Sequence, residues 1–245
     1  MKNDHQDIQS ILQQIADILL INGGILNNTG LYSGEMGLML FFSRYGRYTQ
    51  HDLYMEYAYC LMERIQKRIH QDTPIDYKQG LSGIGSAIEY LVQNGYFEAD
   101  TDEMLNDFDK RIFFTYNLTY LTINEIMAIG FYALWRMAGN SSKKNMIQQM
   151  IMPHIEKMIH AHSVNPSCLQ LNQHTIPVGF EEKTWNRCLE LIVKNDFWGK
   201  EMGIQHGLAG WGLALLTELD GDKSWFSLFP NYFSSTYYND FHEII

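Results

Sequence analysis

The 245-residue chain contains few residues that break helices or cross-link a fold, with only five prolines and three cysteines. The prolines lie mainly between apolar segments, and no segment of four to eight residues alternates clearly enough to predict a strand. Cys60, Cys168 and Cys188 are odd in number and follow no recognisable spacing. We therefore expect a reducing compartment, the cytoplasm, rather than a disulfide framework.

Long apolar runs and excess basic charge are also missing. No uninterrupted apolar run reaches the roughly 18 residues that would span a bilayer, and the polar stretch at residues 1–9 does not resemble a secretory signal. With 18 basic and 28 acidic side chains, the formal charge is −10. This balance argues against nucleic acid or an anionic membrane as partner and favours a cationic or neutral ligand, a peptide or small polar molecule. The composition predicts one globular domain over residues 1–245.

A glycine-rich segment recurs ahead of apolar stretches of helical length, in the forms GLYSGEMG, GLSGIG and QHGLAG. When the copies are aligned on Gly34, Gly83 and Gly207, apolar or aromatic pairs follow at offsets of seven and eight residues. The same offsets place a fourth copy, which lacks the glycines, at Asn124. The spacing predicts a helical hairpin that is used several times.

Two kinds of helix alternate along the chain. Amphipathic helices are predicted near 6–22, 51–70, 100–117, 143–162 and 180–196, and mostly apolar ones near 38–45, 84–92, 124–138 and 208–219. An aromatic tail at 225–241 is expected to pack onto them. Buried helices covered by amphipathic ones describe two concentric layers. The predicted class is all-α, and the predicted architecture is an α/α toroid or part of one.

Glycine-rich starts of inner helices, one of them His-Gly-Leu-Ala-Gly at 206–210, resemble the lanthionine synthetase C-like (LanC-like) family. The resemblance covers 30–219 and implies an α/α toroid of helical hairpins, here reduced in hairpin number. Family enzymes bind zinc through two cysteines and one histidine, and they close thioether rings in ribosomally made peptides. Zinc lowers the pKa of the attacking thiol.

The chain departs from the family pattern at the metal ligands. The family's Cys-His-Gly becomes Gln205-His206-Gly207, and no tryptophan is followed by the expected second cysteine. We therefore predict no metal and no cofactor, while zinc is left open as a possibility. His206 is the one candidate catalytic residue that the resemblance supplies.

Candidate ligand-binding residues gather where the inner helices are predicted to begin. His206 is expected to share one repeat position with Ser33 and Ser82, which are predicted N-caps, and Glu35 is expected to share the next with Glu125. The predicted cleft is lined by Ser33, Glu35, Asp76, Ser82, Glu125 and Trp211. The two glutamates are expected to give it an acidic rim.

Three functions follow as alternatives. The leading one is a LanC-like protein that binds a ribosomally made peptide or assists its modification without cyclising it. The second is an active cyclase with a rearranged zinc site, completed by Cys168, His162, His174 and His206. The third is a carbohydrate-active enzyme that uses Glu35 and Glu125 as paired carboxylates.

Overall fold

In a computed structural model of the chain, the structure describes residues 2–115, 121–171, 201–205, 207–230 and 232–233. The regular elements in these ranges are all helical and include no strand, so the all-α prediction is confirmed for them. The chain divides into two compact units, Met1–Ile69 with Gln173–Ile245, and His70–Asn172. We call them the first and second unit and describe each by itself.

The first unit contains four described α-helices: α1 (Lys2–Asn22), α2 (Glu35–Thr49), α3 (Asp52–Arg68) and α10 (Leu208–Asp220). Helix α2 packs against both α3 and α10, and α1 packs against α10. Helix α2 is buried from Glu35 to Gly46, whereas α1 and α3 each bury one face. The predicted alternation of buried and amphipathic helices is present within this unit.

The sequence pattern of α3 explains how it covers α2. Its buried residues Tyr54, Ala58, Leu61 and Ile65 recur at intervals of three or four and form one apolar stripe. Tyr54 contacts Tyr45 of α2, with ring centroids 4.7 Å apart. Burial of such a stripe stabilises a helix that would be marginal in isolation.

The aromatic segment after α10 packs onto the first unit, as expected. A 3-10 helix at Ser224–Leu228 buries Trp225, whose indole nitrogen donates to the Thr217 hydroxyl at 2.9 Å. Phe229 stacks edge-on against Tyr32, with centroids 5.1 Å apart. The remainder of the predicted tail, 234–241, lies outside the described residues.

The second unit contains α4 (Leu81–Gln93), α5 (Thr101–Met104), α6 (Asn106–Lys110), α7 (Ile123–Ala138), α8 (Lys144–Met146) and α9 (Met152–Ala161). The buried helices α4 and α7 pack against each other, and the amphipathic α9 packs against α7. Where single long helices were predicted at 100–117 and 143–162, π-helical turns at Arg111–Thr115 and Ile147–Ile151 interrupt the α-helical geometry. The helix predicted at 180–196 lies outside the described residues.

Candidate functional site

Three helices begin at a glycine in the same backbone conformation. The N-cap residues are Gly34 for α2, Gly80 for α4 and Gly207 for α10. Their φ/ψ angles are −116°/−169°, −111°/−170° and −114°/173° respectively. These angles are extended and open to any residue, so a left-handed conformation is not why glycine occurs there.

The close approach of the preceding chain explains why these positions are glycines. A Cβ atom on Gly80 would collide with the backbone oxygen of Pro74 and would lie 2.7 Å from the backbone nitrogen and oxygen of Asp76. At Gly34 and Gly207, a Cβ atom would meet backbone atoms at the same offsets, four and six residues earlier, at under 3.0 Å. Only a residue without a side chain fits this turn.

One hydrogen bond closes each turn in the same way. The first helical N–H donates to the carbonyl seven residues earlier, at 2.8 Å in every case: Glu35 to Asn28, Leu81 to Pro74 and Leu208 to Glu201. The three turns are therefore one structural unit used three times among the described residues.

The structure corrects the alignment of the repeat by three residues in its second copy. Gly80, not Gly83, corresponds to Gly34 and Gly207. Gly83 instead corresponds to the second glycine of each copy, which is Gly37 or Gly210. The shared pattern is G-x-x-G, and this spacing was the sequence signal that could have set the register.

Helix α7 begins differently from the three glycine turns. Thr122 is its N-cap and accepts the Glu125 N–H at 3.3 Å, while the Glu125 carboxylate accepts the Thr122 N–H at 2.8 Å. This capping box replaces the glycine turn. The predicted start of the fourth copy at Asn124 is therefore two residues too late. Glu125 is the third residue of α7, whereas Glu35 is the first residue of α2, so the two glutamates do not share a repeat position.

The prediction that Ser33 and Ser82 are N-caps is wrong. Ser33 precedes the cap Gly34, is half-buried and accepts a 3.3 Å hydrogen bond from the Asn28 side chain. Ser82 is the second residue of α4, and its buried hydroxyl has no hydrogen-bond partner. His206 lies outside the described residues. In sequence it directly precedes its glycine, as Ser33 does, whereas Ser82 does not.

Glu35 is fully buried and does not form an open acidic rim. Its Oε1 atom forms ion pairs with Arg64 and with Arg68, the latter at 2.9 Å. Its Oε2 atom is buried without a hydrogen-bond partner. Burial raises the pKa of Glu35 above 4.5, and the two guanidinium charges only partly oppose the rise.

In the second unit, Asp76 and Glu125 organise their own backbone. The half-buried Asp76 accepts the N–H groups of Lys78 at 2.9 Å and Gln79 at 2.8 Å, within the turn that leads into α4. Glu125 belongs to the capping box of α7. Both carboxylates have structural partners, which is typical of turn and cap residues.

Two of the glycine turns contact each other in the first unit. The Tyr32 carbonyl accepts the N–H groups of Ile204 at 2.8 Å and Gln205 at 3.0 Å. Gly203 lies so close to the Ser33 backbone that a Cβ atom there would be 2.5 Å from the Ser33 Cα atom. The structure thus brings Ser33 beside the chain that leads into α10, which includes the half-buried Gln205. Trp211, within α10, is also half-buried.

Sequence reasoning missed the arginines that neutralise buried carboxylates. Arg64 and Arg68 lie one turn apart on α3, about 30 residues after Glu35, so sequence spacing does not indicate that they pair with it. Arg136 of α7 is fully buried and pairs with Glu89, Asp102 and Asp109. Nothing in the sequence distinguished Arg136 from an exposed cation.

The zinc ligands proposed for the alternative cyclase are not gathered in the described part of the chain. Within it, no group of three His, Cys, Asp or Glu side chains could hold a metal ion. Cys168 is exposed, and the His162 ring forms a 2.9 Å hydrogen bond with the Met158 carbonyl. His174 and His206 lie outside the described residues.

Comparison of the chain with protein-family models, with curated proteins and with solved structures finds no match. Among the helices described here, none is both long and apolar enough to cross a membrane.

Proposed function

We propose that this chain is a shortened, divergent LanC-like α/α toroid that binds a ribosomally made peptide or assists its modification without zinc-dependent thioether cyclisation. The observation that carries this proposal is the glycine turn at Gly34, Gly80 and Gly207, which has the same hydrogen bond in each copy. Inner helices that begin at glycines, one in a His-Gly-Leu-Ala-Gly sequence, are the features on which the LanC resemblance rests.

Contact between two turns supports a binding site in the first unit. Ser33, Gln205 and Trp211 are half-buried, so each keeps part of its surface open to a ligand. The Tyr32 carbonyl holds the chain before α10 next to Ser33. Trp211 lies one turn into α10, after this contact. A partly exposed tryptophan and polar groups at the helix start suit a peptide, because an indole can bury a side chain while polar groups orient a backbone.

The chemistry of the donors supports binding rather than cyclisation. Gln205 places a neutral amide where the family supplies a thiolate, and amide oxygen is a poor zinc ligand. The donor set of the described residues does not fit the family's zinc site, so no step is assigned to a metal. The carbohydrate alternative has no observation in its favour, because Glu35 and Glu125 are occupied by an ion-pair cluster and a helix cap.

A selection from a displayed library of random linear peptides tests the proposal. We expect enriched peptides to bind the purified protein in solution and Trp211→Ala to weaken binding about tenfold, the loss of one aromatic contact of 1–2 kcal/mol. The matched control is Tyr59→Ala, since Tyr59 is an exposed aromatic on α3 with 51% of its surface accessible. Failure to enrich any peptide, or equal losses in the two variants, contradicts the proposal.

A second assay separates binding from cyclisation. A peptide that carries a cysteine and a dehydroalanine is incubated with the protein and Zn²⁺, and its free thiol is then alkylated. Closure of a thioether removes one alkylatable thiol without changing the peptide mass. We expect the same alkylation with and without the protein, and protein-dependent protection of the thiol would establish the cyclase alternative.

A further inference from the structure

We propose that Arg64 and Arg68 form an oxyanion site on the first unit, with Glu35 as an internal carboxylate that already occupies part of it. The ligand group is a carboxylate or a phosphate. This inference does not require that the protein binds peptides.

The charges of the cluster do not balance. Two guanidinium groups face one carboxylate, and both bind the same atom, Glu35 Oε1. An arginine that only neutralises a buried carboxylate usually contacts both oxygens in a bidentate pair. Here Oε2 has no partner and one positive charge remains uncompensated within the cluster.

Both guanidinium groups are held in place and still reach solvent. Arg64 donates to the Gly24 carbonyl at 3.3 Å and Arg68 to the Leu26 carbonyl at 2.6 Å, which fixes them against the α1–α2 connection. Their side chains nevertheless keep 28% and 37% of their surface exposed. A guanidinium has five N–H donors, so each arginine keeps donors beyond these contacts with which to bind an added oxyanion.

A tyrosine hydroxyl lies beside the same cluster. Tyr57 of α3 is near enough to Arg64 and Glu35 for their charges to shift its pKa, which burial raises above 10.0. Its buried hydroxyl interacts with Arg64, which ties this tyrosine to the same cluster. The neighbouring Lys67 and Glu63 pair with each other at 3.5 Å on the exposed side of α3 and largely cancel.

Burial of Glu35 weakens its pairing with the two arginines, so an added oxyanion can compete for their donors. A carboxylate whose pKa is raised by burial is a strained partner for the two arginines. An oxyanion from solvent competes with Glu35 for the same donors without displacing the backbone contacts at Gly24 and Leu26. Removal of the Glu35 charge should therefore strengthen binding, which is the reverse of what a purely structural ion pair predicts.

The test is a titration of the full chain with inorganic phosphate, and separately with acetate, at low ionic strength. Binding is followed through the arginine Nε–Hε signals in NMR spectra. We expect saturable shifts of the Arg64 and Arg68 signals with one or both anions, and the stronger anion identifies the ligand class. Arg47 is the internal control, because it is an exposed arginine in the last turn of α2.

Variants make the result decisive. We expect Arg68→Gln to weaken anion binding about tenfold, the effect of one lost charge-assisted hydrogen bond, while Arg47→Gln leaves it unchanged. Glu35→Gln is expected to tighten binding severalfold, and it also removes the buried charge that could unfold an arginine variant. The Glu35→Gln/Arg68→Gln chain then reports the arginine contribution in a folded protein. Absence of saturable shifts in both the wild type and Glu35→Gln overturns the proposal, as does equal binding by wild type and Glu35→Gln.

Discussion

Each unit of this protein contains a buried charged cluster, one around Arg136 in the second unit and one around Glu35 in the first, and the two clusters neutralise their charge in different ways. In the second unit the buried charge is a cation, Arg136, which is enclosed by Glu89, Asp109 and Asp102. Both oxygens of Asp109 contact the guanidinium, at 3.1 and 3.0 Å. In the first unit, which also buries Arg44 against Asp220, the Glu35 carboxylate is held through one oxygen by two partly exposed arginines.

The Arg136 cluster is a closed network, enclosed by its partners, whereas the Glu35 cluster is an open one, partly exposed to solvent. The Arg136 network is completed by Tyr132 and Lys143, which donate to Asp109 at 2.6 and 2.8 Å. This network encloses the Arg136 guanidinium completely and ties α4, α5, α6 and α7 together. The Glu35 cluster keeps guanidinium donors that reach solvent, which is consistent with the proposal that it binds an oxyanion.

The largest expected effect comes from opening the closed network. Arg136→Met leaves Glu89 buried without its cation and Asp109 with Lys143 alone, so we expect a loss of about 3–5 kcal/mol in the free energy of unfolding. Urea denaturation measures it. Arg47→Met, on an exposed face, should change stability by less than about 0.5 kcal/mol. Similar values for the two variants would mean that the network contributes little.

The second prediction tests what the two units share. Gly80→Ala in the second unit and Gly207→Ala in the first should each cost about 1–3 kcal/mol, because the added methyl group collides with backbone that cannot rotate away. Gly24→Ala is the matched control, since nothing lies within 4 Å of its added Cβ atom. Thermal unfolding distinguishes the three, and a neutral Gly80→Ala would contradict the structural equivalence of the turns.

The third prediction, with a smaller expected effect, concerns the ion pair between Arg64 and Glu35 in the open cluster. Arg64→Gln leaves Glu35 with fewer partners and should cost about 1–2 kcal/mol. Adding Glu35→Gln should recover about half of that loss, because the carboxylate no longer needs a cation. A double-mutant cycle by urea unfolding gives the coupling. Additive losses would show that the pair does not interact in the folded state.

The smallest expected effect is the opposite pH dependence of the two clusters. Burial would raise the pKa of Asp102, but hydrogen bonds from Ser141, Ser142 and Arg136 outweigh it and hold the pKa well below 3.8. Its stabilisation is therefore present above pH 3.8 and is lost as the pH falls through the folded pKa.

Glu35 has a raised pKa, so its ionisation opposes folding, and that cost disappears as the pH falls through its folded pKa. Unfolding curves between about pH 2 and pH 7 should show less acid destabilisation in Asp102→Asn, below pH 3.8, and more in Glu35→Gln, each relative to wild type. Parallel curves for the two variants would contradict the assigned directions.

Periodicity predicted the helices well where burial follows spacing. The apolar stripe of α3 and the all-round apolar character of α2 gave their type and approximate bounds, because these patterns depend only on 3.6 residues per turn. The predicted register of the repeat was wrong in the second copy, where Gly83 was aligned in place of Gly80. The position that must be glycine is set by backbone atoms several residues earlier, which approach the helix start only in the folded chain.

The candidate site was predicted in part. Ser33 and the chain before Gly207 do lie together in the first unit, and Asp76 and Ser82 share the start of α4. The prediction that Glu35 belongs to an acidic rim is wrong. The sequence pattern places its carboxylate at a helix start but does not show whether that carboxylate faces solvent. Its arginine partners lie about 30 residues further along the chain, on a different helix.

The sequence by itself determined the helical class, the alternation of buried and amphipathic helices, and the recurrence of a glycine turn, because local propensity and periodicity are properties of short segments. Tertiary structure decided why a glycine is required at each of these helix starts and which charges are neutralised. Close backbone approach and desolvation depend on atoms that are distant in sequence and adjacent only after folding, as the contact of Glu35 with Arg64 and Arg68 illustrates.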